Sequence, residues 1–260
     1  MKSPYLFTLL IFFTLIISGC SHIDDKRYLV SIYQLDNARQ QSLAHYQATS
    51  RLTDKHDAQL KAPIIIEKNL PNTAQPAFTQ AYLGNVIFIA EFSNSKNLDA
   101  FLADSQVRSS MDSLAKTASK EIVFIAKDFN PMGMMTDTAP LNAIKPRKAP
   151  AFLMINDITM NSFLNPLTPY RIMRYMDGNF PRLQQAQVGF IRPLQKMSNV
   201  RGDYQFDVMG ISEWPSERIF NQFHANPDFI KLARTTRNKA FAAFTESKAN
   251  LVKVATDLAK

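Results

Sequence analysis

The 260-residue sequence predicts an α+β fold made of two ferredoxin-like modules, each running β-α-β-β-α-β. Three observations carry this reading. Apolar runs of strand length alternate with helical segments in the same order in both halves. Glu91-Phe92 and Glu213-Trp214 end similar runs 122 positions apart, and Leu98, Phe101, Ala103 and Asp104 then match Phe220, Phe223, Ala225 and Asn226 without a gap. Pro131, Pro140, Pro146 and Pro150 punctuate a linker over 130–150. Matches in the same order across several elements indicate duplication of one module.

In the first module, 27–129, Tyr28–Leu35 reads as a strand. Asp36 or Asn37 then caps a helix to about Asp57 that carries Leu43, Tyr46 and Leu52. Three consecutive isoleucines make Pro63–Glu67 a buried strand, and Val86–Phe92 is the next. Ser95–Ala118 is helical with a break at Asp104-Ser105, and Ile122–Ala126 closes the unit. In the second module, 151–260, Phe152–Ile158 is a strand. Thr168 caps a helix with Pro169 at its first position, disturbed near its end by Gly178 and Pro181. Val188–Leu194 and Tyr204–Ser212 are strands, Ser216–Ala225 and Pro227–Phe244 form a broken helix, and Asn250–Ala255 is a weak final strand.

The single cysteine, Cys20, follows an apolar run from Tyr5 to Ile17 and the small residues Ser18 and Gly19. The string Ile17-Ser18-Gly19-Cys20 resembles the lipobox of bacterial lipoproteins. The resemblance implies that residues 1–19 are a signal peptide, Cys20 a lipidated N-terminus and 20–26 a tether. Ser21 after the cysteine then favours the outer membrane of a Gram-negative host, on its periplasmic side. With no other cysteine, the mature chain has no disulfide and relies on burial.

The formal charge of +8 lies mostly in the second half, where 151–260 carries fourteen basic and nine acidic side chains. Such a surface suits anionic envelope groups. No nucleic-acid motif accompanies it. His45 and His56 are three helical turns apart, too far to share one metal, and no nucleophile elbow or glycine-rich phosphate loop occurs. No metal and no cofactor is expected.

A ferredoxin-like sheet is bare on one face, and a bare apolar face must be buried. The stretches Glu91-Phe92-Ser93-Asn94 and Glu213-Trp214-Pro215-Ser216, each followed by Asp104-Ser105 or Asn226-Pro227 opening a second helix, resemble the dimeric α+β-barrel superfamily, nearest to a family of unknown function within it. That resemblance implies two modules packed sheet to sheet as an intramolecular pseudo-dimer, hence a monomer. It also implies ligands between sheet and helices, with Tyr46, Tyr175, Asp207, Glu213, Trp214 and His224 as candidate contacts. The expectation is a non-catalytic envelope module binding a small apolar ligand or an envelope surface. The alternative is a cofactor-independent enzyme of the monooxygenase or isomerase type.

Overall fold

The computed structural model describes residues 26–70, 84–129, 150–162, 164, 165 and 167–252. Cys20, the signal segment and nearly all of the 130–150 linker lie outside the described residues. Among the described residues no helix is long and apolar enough to cross a membrane.

The chain begins with β1 (Arg27–Leu35), α1 (Ala38–Lys55), the short β2 (Ala58–Leu60), β3 (Ile64–Leu70) and β4 (Val86–Phe92). Two helices, α2 (Ser95–Ala103) and α3 (Ser105–Ala115), and β5 (Ala118–Asp128) follow. The second half runs β6 (Phe152–Met160), α4 (Leu167–Gln185), β7 (Gly189–Arg201), β8 (Val208–Trp214), α5 (Glu217–Ala225), α6 (Pro227–Thr235), the one-turn α7 (Arg237–Ala240) and β9 (Phe241–Leu251).

All nine strands form one antiparallel sheet in the order β1-β5-β7-β8-β6-β9-β3-β4-β2. A further β1–β4 pairing, Arg27 opposite Phe92 to Tyr33 opposite Val86, closes it into a barrel. Two seams join the halves. In one, Val123–Asp128 of β5 pairs with Leu194–Arg201 of β7, and in the other Ile64–Leu70 of β3 pairs with Glu246–Leu251 of β9.

Strand alternation decides what fills this barrel. Val30, Ile32, Ile87, Ile89, Ile122, Phe124, Leu153, Ile155, Met209 and Ile211 point inward and form one apolar cluster. The opposite faces carry the helices. Leu29, Ala90, Phe92 and Val123 pack under α2 and α3, while Phe152, Met154 and Trp214 pack under α4 and α5.

The helix break read at Asp104 is a cap. Its carboxylate accepts from Gln106 N at 2.8 Å, and Asn226 accepts from Asp228 N at 2.9 Å ahead of Pro227. The spans of β4 and β8, and of α2 and α5, coincide at the 122-residue offset.

Three element readings are corrected. Thr168 is not the cap of α4, which begins at Leu167 and runs unbroken through Gly178 and Pro181 to Gln185. Gly178 instead permits close packing, since a Cβ there would meet the Leu232 side chain at 2.9 Å. The strand read from Tyr204 begins only at Val208, with 204–207 irregular. Phe241–Phe244 is not helical but opens the 11-residue β9. Its Phe-Ala-Ala-Phe spacing mimics a helix, and the ladder to β6 overrides that preference.

Gly202 turns the chain after β7 at φ +67°, and a Cβ there would lie 2.3 Å from the Glu121 carbonyl oxygen. Gly202→Ala should therefore cost at least about 2 kcal/mol through left-handed strain and the backbone clash. Denaturant midpoints at unchanged m-value will measure it.

Candidate functional site

The barrel interior is filled, so chemistry is left to the clefts between sheet and helices. The second-half cleft is the richer in polar groups. Its floor is the outer face of β6, β8 and β9, where Asn156 stands in register with both Glu246 and Gly210. Gly210 contributes no side chain beside Asn156, whose Cβ would lie 3.7 Å from a Cβ placed there. Ser212 accepts from Trp214 Nε1 at 3.0 Å and holds the indole flat under α5.

The roof comes from four helices. His224 of α5 sits among Trp214, Phe220, Phe223 and Phe229, with ring centroids 4.1–5.7 Å away. Its Nδ1–H donates to the Phe220 carbonyl at 2.9 Å, so Nε2 is left as the basic nitrogen. That nitrogen lies 3.8 Å from Glu246 Oε1. The separation alone would admit an ion pair. Burial decides otherwise and pushes the imidazole down to about 4, so the ring is neutral at physiological pH.

Arg237 of α7 is 4% exposed. Its guanidinium lies 4.6 Å from the Phe244 ring centroid and 5.9 Å from that of Phe229. Burial raises the Glu246 carboxyl above its ordinary range, and the Arg237 charge opposes that rise. Burial likewise raises the Tyr175 hydroxyl, with Arg237 again opposing. Asn179 Nδ2 donates to Tyr175 Oη at 3.3 Å. The Oδ1 atoms of both Asn156 and Asn179 are buried without a hydrogen-bond partner. Two orphaned acceptors beside a desolvated cation and a carboxyl are groups that a ligand would satisfy.

Of the six residues expected from sequence, Tyr175, Trp214 and His224 meet in this cleft. Glu213 is buried on the opposite face of β8 from Trp214, paired in register with Leu153 and Gly189. Asp207 fastens a strand end, accepting from Met160 N at 2.6 Å. Tyr46 packs on α1 against Tyr33, Leu35 and Phe88 in the first half.

Glu246, Arg237, Asn156 and Asn179 were not expected. Glu246 falls in a stretch read as the gap between a helix and a weak strand. Arg237 sits in what reads as scattered surface charge. Period-two alternation of Phe244, Glu246 and Lys248 is the signal that could have placed Glu246 on the cleft floor.

The first-half cleft differs. A cavity of about 30 Å³, room for one water, is lined by Leu29, Ser31, His45, Thr49, Phe88 and Phe101 among others. His45 meets Phe88 edge-on at 4.8 Å and is pushed down to about 4 by burial. His56 is elsewhere, bonded to Asp104 at 3.1 Å. Among the described residues no three His, Cys, Asp or Glu side chains gather to hold a metal.

No family model matches the chain, and no curated protein matches it either. Solved structures do. A protein assigned as a monooxygenase from Lactobacillus acidophilus superposes with a TM-score of 0.55 at 10% identity, covering 89% of this chain and 96% of that one. An anthrone oxidase-like protein gives 0.54 at 9% identity, covering 89% and 93%. A mutant chlorite dismutase from Candidatus Nitrospira defluvii gives 0.54 at 7% identity, covering 93% and 96%. The shared property is the fold, that of the dimeric α+β-barrel proteins. The expectation of a non-catalytic module is corrected by these matches, whose bearers are named as enzymes or as enzyme-like proteins.

Both buried histidines take up protons more readily when the chain unfolds. Their folded values of about 4 lie below the unfolded value, so stability is lost as pH falls from about 6.5 to about 4 and is flat below that for this contribution. Denaturant melts at pH 7.5 and 4.5 should differ by roughly 1–3 kcal/mol per histidine. His224→Leu should narrow the gap.

Proposed function

We propose that this chain is an oxygen-using enzyme of the monooxygenase or oxidase type, working without a resident cofactor in the second-half cleft. The observation that carries the proposal is the grouping of buried Arg237 with half-buried Glu246, His224 and Tyr175, flanked by the unpartnered Asn156 and Asn179 oxygens. Neighbours of the same fold that are named as a monooxygenase and as anthrone oxidase-like support the reaction type.

The chemistry follows from the residues. A substrate methylene made acidic by adjacent electron-withdrawing groups loses a proton to the Glu246–His224 pair. Neutral His224 presents Nε2 as acceptor, and a carboxyl raised by burial is a stronger base than one in water. The Arg237 guanidinium holds the resulting anion, and the apolar walls of Trp214, Phe220 and Phe229 keep water away. Dioxygen accepts the electrons. One oxygen atom turns the methylene into a carbonyl, and the other leaves as water with the two protons. Proton abstraction is also the first step of an isomerase, which returns the proton at another carbon instead.

Three further readings belong to the same proposal. The 122-residue correspondence and the two inter-half seams support a duplicated module folded as an internal pseudo-dimer, with boundaries 27–129 and 151–260 and a monomeric state. The Ile17–Cys20 string supports a lipid anchor at the periplasmic face of an outer membrane. The same anchor gives membrane as the partner and leaves no role for nucleic acid.

Anthrone is the probe for the reaction. Trp214 is the only tryptophan in the chain, so binding in this cleft should quench its fluorescence. An oxygen electrode should record uptake above the buffer rate, and Glu246→Gln should lower kcat by about 10²-fold or more while leaving the quench in place. Undiminished turnover in Glu246→Gln would move the chemistry elsewhere. For the anchor, Cys20→Ser should shift the protein out of the detergent phase in phase partition. A variant that still partitions with detergent would show that Cys20 is not the point of attachment.

A further inference from the structure

Asp157 has no part in the cleft. It lies on β6 one residue beyond Asn156, on the inward face with Leu153 and Ile155, and is 4% exposed. Met209 of β8 and Thr245 of β9 stand opposite it in register, and neither carries a charge. Tyr204 Oη donates to Asp157 Oδ2 at 3.1 Å. Asp157 Oδ1 has no partner. An ionised carboxylate with one oxygen bare in a filled apolar barrel is far costlier than the neutral acid.

Tyr204 belongs to the irregular segment 202–207 between β7 and β8. This segment turns into the end of the barrel and plugs it. Tyr204 and Phe206 are both buried in the interior cluster, and Phe206 meets Phe124 of β5 edge-on at 5.0 Å. The other ties run to β6 and β7: Thr159 Oγ1 donates to the Gln205 carbonyl, Asn199 Nδ2 to Asp203 Oδ1 and Lys196 N to the Asp207 carbonyl. Lys196 of β7 donates its ammonium to the Tyr204 carbonyl and lies 5.1 Å from the Phe206 ring centroid. Asp207 N donates to the Ile158 carbonyl, and its carboxylate faces away from Asp157 to accept from Met160 N. At the same end Glu121 and Arg201 are engaged with each other at 3.4 Å. The contact between Asp157 and Tyr204 is the plug's side-chain hydrogen bond inside the barrel.

We propose that Asp157 and Tyr204 form a proton-operated latch, closed when Asp157 is neutral and released when it ionises, which holds segment 202–207 in the mouth of the barrel. Burial pushes the Asp157 carboxyl up to about 7, and the Tyr204 hydrogen bond opposes that rise. The closed form therefore binds the proton more tightly than the open one. Closure is firmest below the ordinary carboxylate range, weakens as pH rises from about 4, and is weakest above about 7. The carboxylates of the plug itself are engaged elsewhere: Asp203 accepts from Gln205 Nε2 at 2.7 Å and Asp207 from Met160 N.

Hydrogen exchange of the full chain at pH 5.5 and 8.0, corrected for intrinsic rates, tests the latch. Protection over 202–207 should fall at least tenfold in the wild type between those pH values, while that of β1 and β5 holds. Asp157→Asn, neutral throughout, should keep its protection at both. A wild type indifferent to pH, or a variant that loses protection as the wild type does, overturns the proposal. Should Asp157→Asn fail to fold, carboxyl ¹³C shifts of the wild type decide. A midpoint near 7 that moves upward in Tyr204→Phe supports the latch, and a midpoint near 4 or one that Tyr204→Phe leaves unmoved overturns it.

Discussion

Closure of the strand ladder is the constraint on which the rest depends. A sheet that is apolar on both faces is stable only when both are covered. Here the helices cover one face of each half. The other face is covered because the β5–β7 and β3–β9 seams bring the halves edge to edge and β1–β4 completes the ring. A closed ring leaves no unpaired edge among these eight strands, and its inward residues bury one another. Val30, Phe124, Ile155 and Ile211 come from strands of both halves yet belong to one cluster, so both halves lose the burial of their inward faces if the seams part.

That arrangement places the chemistry outside the barrel. With the interior filled, polar groups gather where the helices lift from the sheet. The two clefts have diverged in content. The first holds a water-sized cavity with a neutral His45 over Phe88. The second holds a buried arginine, a carboxyl, a tyrosine and a neutral histidine within an aromatic wall. Desolvation lowers His45 and His224 and raises Glu246 and Tyr175, and a dry site strengthens the field of Arg237. These are conditions in which a base and an anion-stabilising cation operate side by side without neutralising each other in water.

The barrel mouth shows the same physics put to another use. Asp157 is the inward neighbour of Asn156, so consecutive residues of β6 face the filled interior and the cleft floor. A carboxyl in the interior is tolerated while it is neutral. The irregular plug that donates to it needs Gly202, since no side chain fits between that turn and the Glu121 carbonyl.

Read from sequence, the α+β class, the order of elements and the capped break at Asp104 and Asn226 were within reach, because alternation, capping residues and the 122-residue correspondence are local signals. Tyr175, Trp214 and His224 were also nominated, as polar groups that the superfamily resemblance puts between sheet and helices. Glu246 and Arg237 were not, because the site exists only where β9 pairs with β6 and where α7 folds back over Phe244. The Phe-Ala-Ala-Phe run that begins β9 has helical spacing, and only pairing with β6, some eighty residues earlier, makes it extended. The sequence by itself determined which segments are strand or helix and which faces are apolar, since these follow from neighbours in the chain. Tertiary structure alone decided which polar residues share a dry cleft and which carboxyl is sealed in the barrel, since burial and proton affinity depend on groups distant in sequence.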